Sequence, residues 1–526
     1  MLQDTGLGQE MYIAAYNKLD KNGVKRLHCY KYTDDFDAAA SDEQIFDSGF
    51  LSDRILTYCI SPPGENQWAR KAYTGASSSL DQQMQQLRIN QESSENSSNP
   101  VIAKKFPLPN LQHTSSIVKF YNEQGESLKV GQLVEIIGIR GQDIVKHREQ
   151  QEQTAEEMET NAFESILDQF ERVPIIHAIA YQNLDGHISY PLVQSEQYHD
   201  IHHQAAEIRD PLVQYISNAV GGDLLAAEFI LLQLVSRISV KTGELKIGNL
   251  TLNVSGFPAY EMKNDEEKKS ASSHLSLHNP YSKFLLELLS QLTVHSVALP
   301  LTIDSLNKSR FTPKSVNENL EAGVLQLIDG TLLVVDETML DEGQLVDAGV
   351  RNFQALQDLI QHQTLSYEFP YSQYRFDTDI NVLSLSSTKS MLSSHCTVPL
   401  EATYPLPSME DMVSLPEDTL NLFRKYIHTA KYIKEYAIPE DVSEYIQAAY
   451  INERKASQQQ KNAELPTQED LMLRMNLARL AAASFGEQQL TKERYEYVVN
   501  LDKQRKQRLK KKEQQQKKEA EPAIAK

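Results

Sequence analysis

Apolar positions along this chain change their period twice, and each change marks a different kind of structure. Over residues 1–75 they come in short runs: Met11-Tyr-Ile-Ala-Ala-Tyr16, then Val24 to Tyr32 after Asn22-Gly23, then Arg54-Ile-Leu-Thr-Tyr-Cys-Ile60 ahead of Pro62-Pro63-Gly64. Runs of this length around Asn-Gly predict strands and a hairpin, because Asn and Gly accept the positive φ of a tight turn. Ser116-Ile-Val-Lys-Phe-Tyr121 and Leu133-Val-Glu-Ile-Ile-Gly-Ile139 predict further strands. Between these groups, Ser, Gln and Asn supply 15 of the 25 residues of 76–100, too little apolar surface to offset the entropy of ordering. The pattern predicts a β domain over 1–142, interrupted by a disordered insertion over 76–105, and an acidic helical connector over 143–172.

From 173 to 405 the runs become continuous. Leu224 to Ile238 is apolar around most of its girth, as a buried helix is. Leu250-Thr-Leu-Asn-Val254, Thr331-Leu-Leu-Val-Val335 and Ile380-Asn-Val-Leu-Ser-Leu385 favour strands and are spaced by helical stretches such as Val350 to Gln361. Such spacing predicts a parallel sheet covered on both faces. Over 406–500 the period is helical: Leu420, Phe423, Ile427 and Ala430 share a face, Pro439 suits a first helical turn, and Thr467 and Thr491 suit N-caps. The stripe Leu471, Met475, Ala478, Ala482, Phe485 ends at Gly486, and a basic tail remains over 501–526. The predicted fold class is mixed α/β, in several domains.

Composition refines this picture. The chain has 526 residues, long enough for two or three cores, and mean hydropathy is −0.47. Residues 501–526 hold ten basic and four acidic side chains, net +6, so the other 500 residues carry −26 of the total −20. So acidic a body repels phosphate at long range and favours a protein partner over a sequence-independent nucleic-acid clamp. Cys29, Cys59 and Cys396 are too few for a disulfide framework and form no Cys-x-x-Cys zinc pair. With no run of 18 apolar residues and no signal-peptide layout at Met1-Leu-Gln-Asp-Thr, a soluble intracellular chain is expected, with no membrane partner.

Candidate chemistry is sparse. A phosphate-binding loop needs a Gly-rich turn and a Lys before Ser or Thr, and Gly-Lys occurs nowhere. Where such a loop would follow Leu250 to Val254, Ser255-Gly-Phe-Pro-Ala-Tyr-Glu-Met-Lys263 supplies a donorless Pro258, two bulky rings and a repelling Glu261. Leu332-Leu-Val-Val-Asp336-Glu337 has the form of the strand that positions magnesium and water in P-loop ATPases, and equally of a buried strand entering an acidic turn. His199, His202 and His203 lack a fourth ligand and read as a solvated helix start. Ser386-Ser-Thr-Lys389 and Lys241-Thr-Gly243 lack the Ser-Asp-Asn element that would make them a hydrolase site. Trp68 and Tyr73 could stack bases, but core or interface packing suits a domain without a basic stripe better. The tail residues Lys503, Arg505, Lys506, Arg508, Lys510, Lys511 and Lys512 form a candidate nuclear-localisation patch, with a solvated helix end and a local nucleic-acid contact as the alternatives.

An ordered series of segments carries a resemblance. Phe106-Pro-Leu-Pro109, Gly222-Asp-Leu-Leu-Ala-Ala-Glu-Phe229, Leu252-Asn-Val-Ser-Gly256, Leu333-Val-Val-Asp-Glu-Thr338 with Glu342-Gly-Gln344, and Phe353-Gln-Ala-Leu356 together resemble the mini-chromosome maintenance (MCM) complex-binding protein family. The resemblance runs from about residue 1 to 500 and implies kinship with the MCM helicase subunits. It implies an N-terminal OB-like β domain, a degenerate AAA+-like core and a C-terminal helical lid. Against a helicase, Ser394 in Leu392-Ser-Ser-His-Cys396 stands where an arginine finger is expected, and Glu469 where a lid sensor arginine is expected. Only Asp336 and Glu337 remain as a Walker-B-like pair.

The implied function is non-catalytic, without cofactor, metal or small-molecule substrate. The chain is expected to bind MCM helicase subunits, to regulate their assembly, stability or unloading during DNA replication, to reach chromatin only through them, to act in sister-chromatid cohesion, and to be nuclear. A helical segment precedes the family's counterpart of Met1-Leu-Gln-Asp4, so contacts made by that segment are expected to be missing. An active AAA+ ATPase and a single-strand-binding protein built on the β domain are the competing classes.

Overall fold

The computed structural model describes residues 1–19, 24–34, 50–74, 100–109, 111, 113–121, 125, 127–141, 170, 173–184, 201–242, 245–259, 279–433, 436–459 and 465–520. The first sheet contains β1 (Leu2–Asp4), β2 (Gln9–Leu19), β3 (Lys25–Cys29), β4 (Phe50–Ile60), β5 (Ser115–Tyr121), β6 (Val134–Arg140) and β7 (Ile175–Asn183). Its order is β3-β2-β4-β5-β7-β6, with β1 set against β4. Neighbours are antiparallel except β5 and β7, where Ile117 faces Ile175 in parallel register. Alternation sorts the faces: Tyr12 and Tyr16 of β2 are buried while Met11, next to Tyr12 on the same strand, is exposed. Helices α1 (Gln67–Thr74) and α2 (Pro100–Lys104) lie between β4 and β5.

Two boundaries move. Ile175-Ile-His-Ala-Ile, assigned above to the α/β core that was to begin at 173, is β7 and completes the first sheet, because its period-two pattern pairs with both β5 and β6. Residues 100–105, assigned to the insertion, are packed: Ile102 is fully buried in α2 and Lys105, also buried, pairs with Asp4 at 2.7 Å. The Ser/Gln/Asn run stops at Asn99, and Val101-Ile102 and Phe106 restore enough apolar surface to order the chain. The rest of that insertion, 76–99, and nearly all of the 143–172 connector lie outside the described residues. Phe170 of the connector packs on Tyr58, ring centroids 5.2 Å apart.

Beyond α3 (Ala205–Ala219), α4 (Leu224–Leu234) and the small hairpin β8 (Val240–Thr242) and β9 (Leu245–Ile247), a second sheet begins. The chain continues through β10 (Leu252–Ser255), α5 (Pro280–Ser290), β11 (Ser296–Pro300), α6 (Ile303–Lys308), β12 (Lys314–Val316), β13 (Asn319–Glu321), β14 (Leu332–Asp336) and α7 (Asp347–His362). Then come β15 (Thr364–Phe369), β16 (Ser372–Asp377), β17 (Asn381–Ser386) and β18 (Cys396–Pro399). Strands β11-β14-β17-β10-β18 form an all-parallel sheet in that order. A third sheet, β13-β12-β15-β16, shares a core with it through Leu320, Leu365 and Tyr367.

The parallel strands are buried on both faces, as their continuous apolar runs require. Leu252, Val254, Leu332, Val334, Leu383 and Leu385 pack with α3, α4 and the later helices. Leu333, Val335 and Val382 face the opposite core, which also takes Leu56, Tyr58 and Ile117 of the first sheet. The sheet is thus the wall shared by both layers. α4 is apolar around most of its girth because nine of its 11 residues are buried, and among the described residues no single helix is long and apolar enough to cross a membrane.

Helices α8 (Glu417–Lys431), α9 (Glu440–Gln459), α10 (Gln468–Ser484) and α11 (Lys492–Ala520) complete the molecule. Asn279 caps α5 ahead of Pro280, and Thr467 forms a reciprocal capping box with Asp470 at α10. No break separates a bundle ending at 500 from a tail starting at 501. α11 runs through that point as one helix, since 492–520 contains neither Gly nor Pro and is rich in Lys, Gln, Glu and Arg, all strong helix formers.

Candidate functional site at the carboxyl ends of the parallel strands

In open α/β sheets the binding crevice lies beyond the carboxyl ends of the strands. Here those ends are Ser255, Pro300, Asp336, Ser386 and Pro399. Asp336 is 2% exposed and both its oxygens are taken. Oδ1 accepts from the Thr338 amide at 3.0 Å and the Thr338 hydroxyl at 2.5 Å, and Oδ2 accepts from the Ser282 hydroxyl of α5. Asn279 in turn donates to Thr338 Oγ1 at 2.9 Å. Glu337 is equally engaged: Oε1 accepts from Ser390 Oγ and Oε2 from the Met391 amide at 2.8 Å. Burial pushes the Glu337 carboxyl up, the two donors oppose that, and the adjacent Asp336 adds to the rise.

The turn after β10 is closed in the same way. Gly256, at φ +102°, donates its amide to Ser386 O at 2.7 Å, and Phe257 donates to the same carbonyl at 3.2 Å. These are the backbone donors that would have to face a phosphate. Phe257 is buried, and Lys512 of α11 reaches Ser255 Oγ at 3.3 Å from the open side. Burial lowers the Lys512 ammonium.

α11 delivers that lysine by lying along β18. Arg505 Nη1 donates to Thr397 O at 3.3 Å and Arg508 Nη1 to Pro399 O at 3.1 Å. Arg508 also meets Asp223, the buried N-cap of α4, at 2.5 Å, and Lys511 meets Glu401 at 2.9 Å. Lys506 pairs with Asp470 at 2.5 Å, while Arg505 and Arg474 converge on buried Asp502. Of the seven tail residues singled out in the sequence, Lys503, Lys510 and Lys511 are exposed, Arg505 is buried, and Lys506, Arg508 and Lys512 are half-buried in these contacts.

Other sequence candidates are placed elsewhere. Ser394 leans on Ser384 of β17, hydroxyls 3.4 Å apart, and Glu469 is exposed in the first turn of α10. Trp68 donates to Ser290 O at 2.9 Å under the Arg424 guanidinium, 4.0 Å from the ring centre, so it packs α1 against α5 and α8. The Tyr73 side chain and His199 lie outside the described residues. His202 and His203 sit ahead of α3, and among the described residues no three His, Cys, Asp or Glu groups could hold a metal. Sequence reasoning missed Ser282 and Asp223. The Asn279-Pro280 cap pattern could have found the first by marking where α5 starts, whereas Asp223 is tied to Arg508 only by the fold.

Comparison with known proteins agrees with the ordered segments. The sequence profile of the family described as "Mini-chromosome maintenance replisome factor" matches residues 1–99 and 76–509. The chain is 27% identical over 566 residues to the "Mini-chromosome maintenance complex-binding protein" of Danio rerio, covering 94% of this chain and 85% of that one. It is 27% identical to the Homo sapiens protein of that name and 26% identical to that of Arabidopsis thaliana, each over 97% of this chain and 87% of the relative. With the profile spanning most of its length, this chain belongs to the mini-chromosome maintenance replisome factor family.

Proposed function

We propose that the chain is a non-catalytic binding partner of MCM helicase subunits, built on a β domain of OB type, an AAA+-like core and a helical lid. The names of its relatives support the partner. The parallel order β11-β14-β17-β10-β18 supports the core, since only β17 separates the acidic end of β14 from the phosphate-loop position after β10. The order β2-β4-β5-β7-β6, antiparallel except at β5 and β7, supports the OB-type reading.

The observation that carries the non-catalytic part is the saturation of the carboxyl-end site by the chain itself. Both oxygens of Asp336 and of Glu337 accept hydrogens from Ser282, Thr338, Ser390 and Met391, the amides of Gly256 and Phe257 serve Ser386, and Lys512 stands at the mouth. A magnesium nucleotide would need those same acceptors and donors. Against a nucleic-acid role, the β domain's Arg54 and Lys119 are turned inward onto Glu10 and Asp34.

On this reading the chain reaches chromatin through MCM subunits, governs their assembly, stability or unloading, with consequences for cohesion, and is addressed to the nucleus by the exposed lysines of α11. The test is co-elution of the purified full-length chain with purified MCM subunits, alongside an ATPase assay. A stoichiometric complex, and no hydrolysis by the chain on its own, are expected. Failure to form any complex, or hydrolysis abolished by Asp336→Asn, sinks the reading.

A further inference from the structure

Strands β15 and β16 form a hairpin whose two faces differ sharply. Register pairs Leu365 with Phe376, Tyr367 with Tyr374 and Phe369 with Ser372 on one face, and Ser366 with Arg375 and Glu368 with Gln373 on the other. The aromatic face is anchored at its root. Leu365 and Tyr367 are buried, and Tyr367 meets Phe376 edge-on with centroids 4.7 Å apart. At the tip the same face leaves the protein: Phe369 is 38% exposed, Tyr374 57% and the turn residue Tyr371 fully exposed. Phe369 and Tyr374 hold each other edge-on at 5.7 Å, so the exposed rings are pre-ordered by the buried ones.

Charge decides what such a finger fits. Glu368 is paired with Lys314 at 3.1 Å and Asp377 with Lys246 at 2.6 Å, which leaves the hairpin close to neutral, with Arg375 exposed beside the rings. A nucleic-acid strand stacking on these rings would need a run of cations to follow its phosphates, and the 500 residues outside the tail carry −26. Exposed tyrosines beside one arginine, held rigid, are instead the composition of a protein-binding anchor.

We propose that Phe369, Tyr371 and Tyr374 form the anchor with which this chain grips its protein partner, seating in an apolar slot whose acidic rim faces Arg375. This rests on the reading that the partner is an MCM subunit.

The test uses the full-length chain and purified MCM subunits, comparing wild type with Tyr371→Ala/Tyr374→Ala and with Tyr371→Phe/Tyr374→Phe. The alanine pair is expected to weaken binding about tenfold or more while its Tm falls by no more than about 3 °C, because Tyr371 is fully exposed in the free chain and Tyr374 gives up one edge contact with Phe369. The phenylalanine pair, which keeps the rings, is expected to bind within about threefold of wild type. Undiminished binding by the alanine pair overturns the anchor while leaving the MCM reading intact, and absence of binding by wild type overturns the reading itself. Loss of oligo-dT binding in the alanine pair, with MCM binding unchanged, makes the hairpin a base-stacking platform and also overturns the proposal.

Discussion

Asp336 shows how one residue type can keep its place in a strand and lose its chemistry. In a buried site a carboxylate is stable only if its oxygens are satisfied, and here a hydroxyl from α5 and the two donors of Thr338 satisfy them. Asp336→Ala removes three acceptor contacts at once, leaving the Thr338 amide without its acceptor and the Ser282 hydroxyl with only Asn279 O, so a loss of about 2–4 kcal/mol is expected. A shift of the urea midpoint in the full chain reads it, and a change below about 0.5 kcal/mol contradicts the account. That Asp336 and Glu337 close a buried strand was legible from Leu332-Leu-Val-Val ahead of them. What they touch was not, because Ser282 and Ser390 lie 54 and 53 residues away along the chain.

At the scale of elements, α11 is the clearest case of packing overriding composition. Its run of lysines and arginines reads as a nuclear-localisation patch, with a solvated helix end as an alternative, yet Arg505 is buried and Arg508 neutralises the buried N-cap Asp223. Arg508→Ala leaves that carboxylate with only the Ala226 and Glu401 amides, and a destabilisation of about 2–4 kcal/mol is expected in a urea titration. Acid should loosen the same helix. Burial alone would raise Asp470, but Lys506 and the Thr467 cap outweigh it and hold it down at about 2, against an ordinary 3.8. A depressed carboxylate contributes stability above its unfolded pKa, which is lost as pH falls toward the folded one. The pH dependence of unfolding between about 4 and 2 should therefore flatten in Asp470→Asn, and an unchanged slope there rules the pair out as its source.

Helices α8 to α11 were readable because caps and stripes are local signals. β11 and β18 were not, being runs of five and four residues with no turn chemistry of their own, and neither was the β13-β12-β15-β16 sheet.

For the whole molecule, the junction of the layers matters most. His295, from the segment entering β11, and Lys431, from the end of α8, line a cavity of about 100 Å³ together with Leu133 and Leu184, which flank β6 and β7, and Leu332 of the second sheet. Burial, reinforced by nearby positive charge including Lys431, pushes His295 down to about 4. Burial also lowers Lys431 to about 8, with Asp379 opposing and Arg237 assisting. Both are bases depressed by folding, so their neutral forms favour the folded state. The His295 contribution is present above 6.5 and lost as pH falls toward 4, and the Lys431 contribution is present above 10.5 and lost as pH falls through 8. Tm should therefore climb from pH 5 to 7, and His295→Asn should remove part of that climb. A parallel curve for the variant would show that the histidine is not responsible.

By itself the sequence determined the class of each layer and the identity of the family. Periodicity, capping residues and turn pairs act over a few positions, and an ordered series of segments survives in a linear string. Tertiary structure alone decided that β7 completes the first sheet, that the layers share one wall of parallel strands, that the basic run is a packed helix, and that the carboxyl-end site is filled from within. Each of these is a contact between residues dozens to hundreds of positions apart, such as Ser255 with Lys512, and such pairings are set by which buried groups must be satisfied once the chain has closed, not by any local pattern.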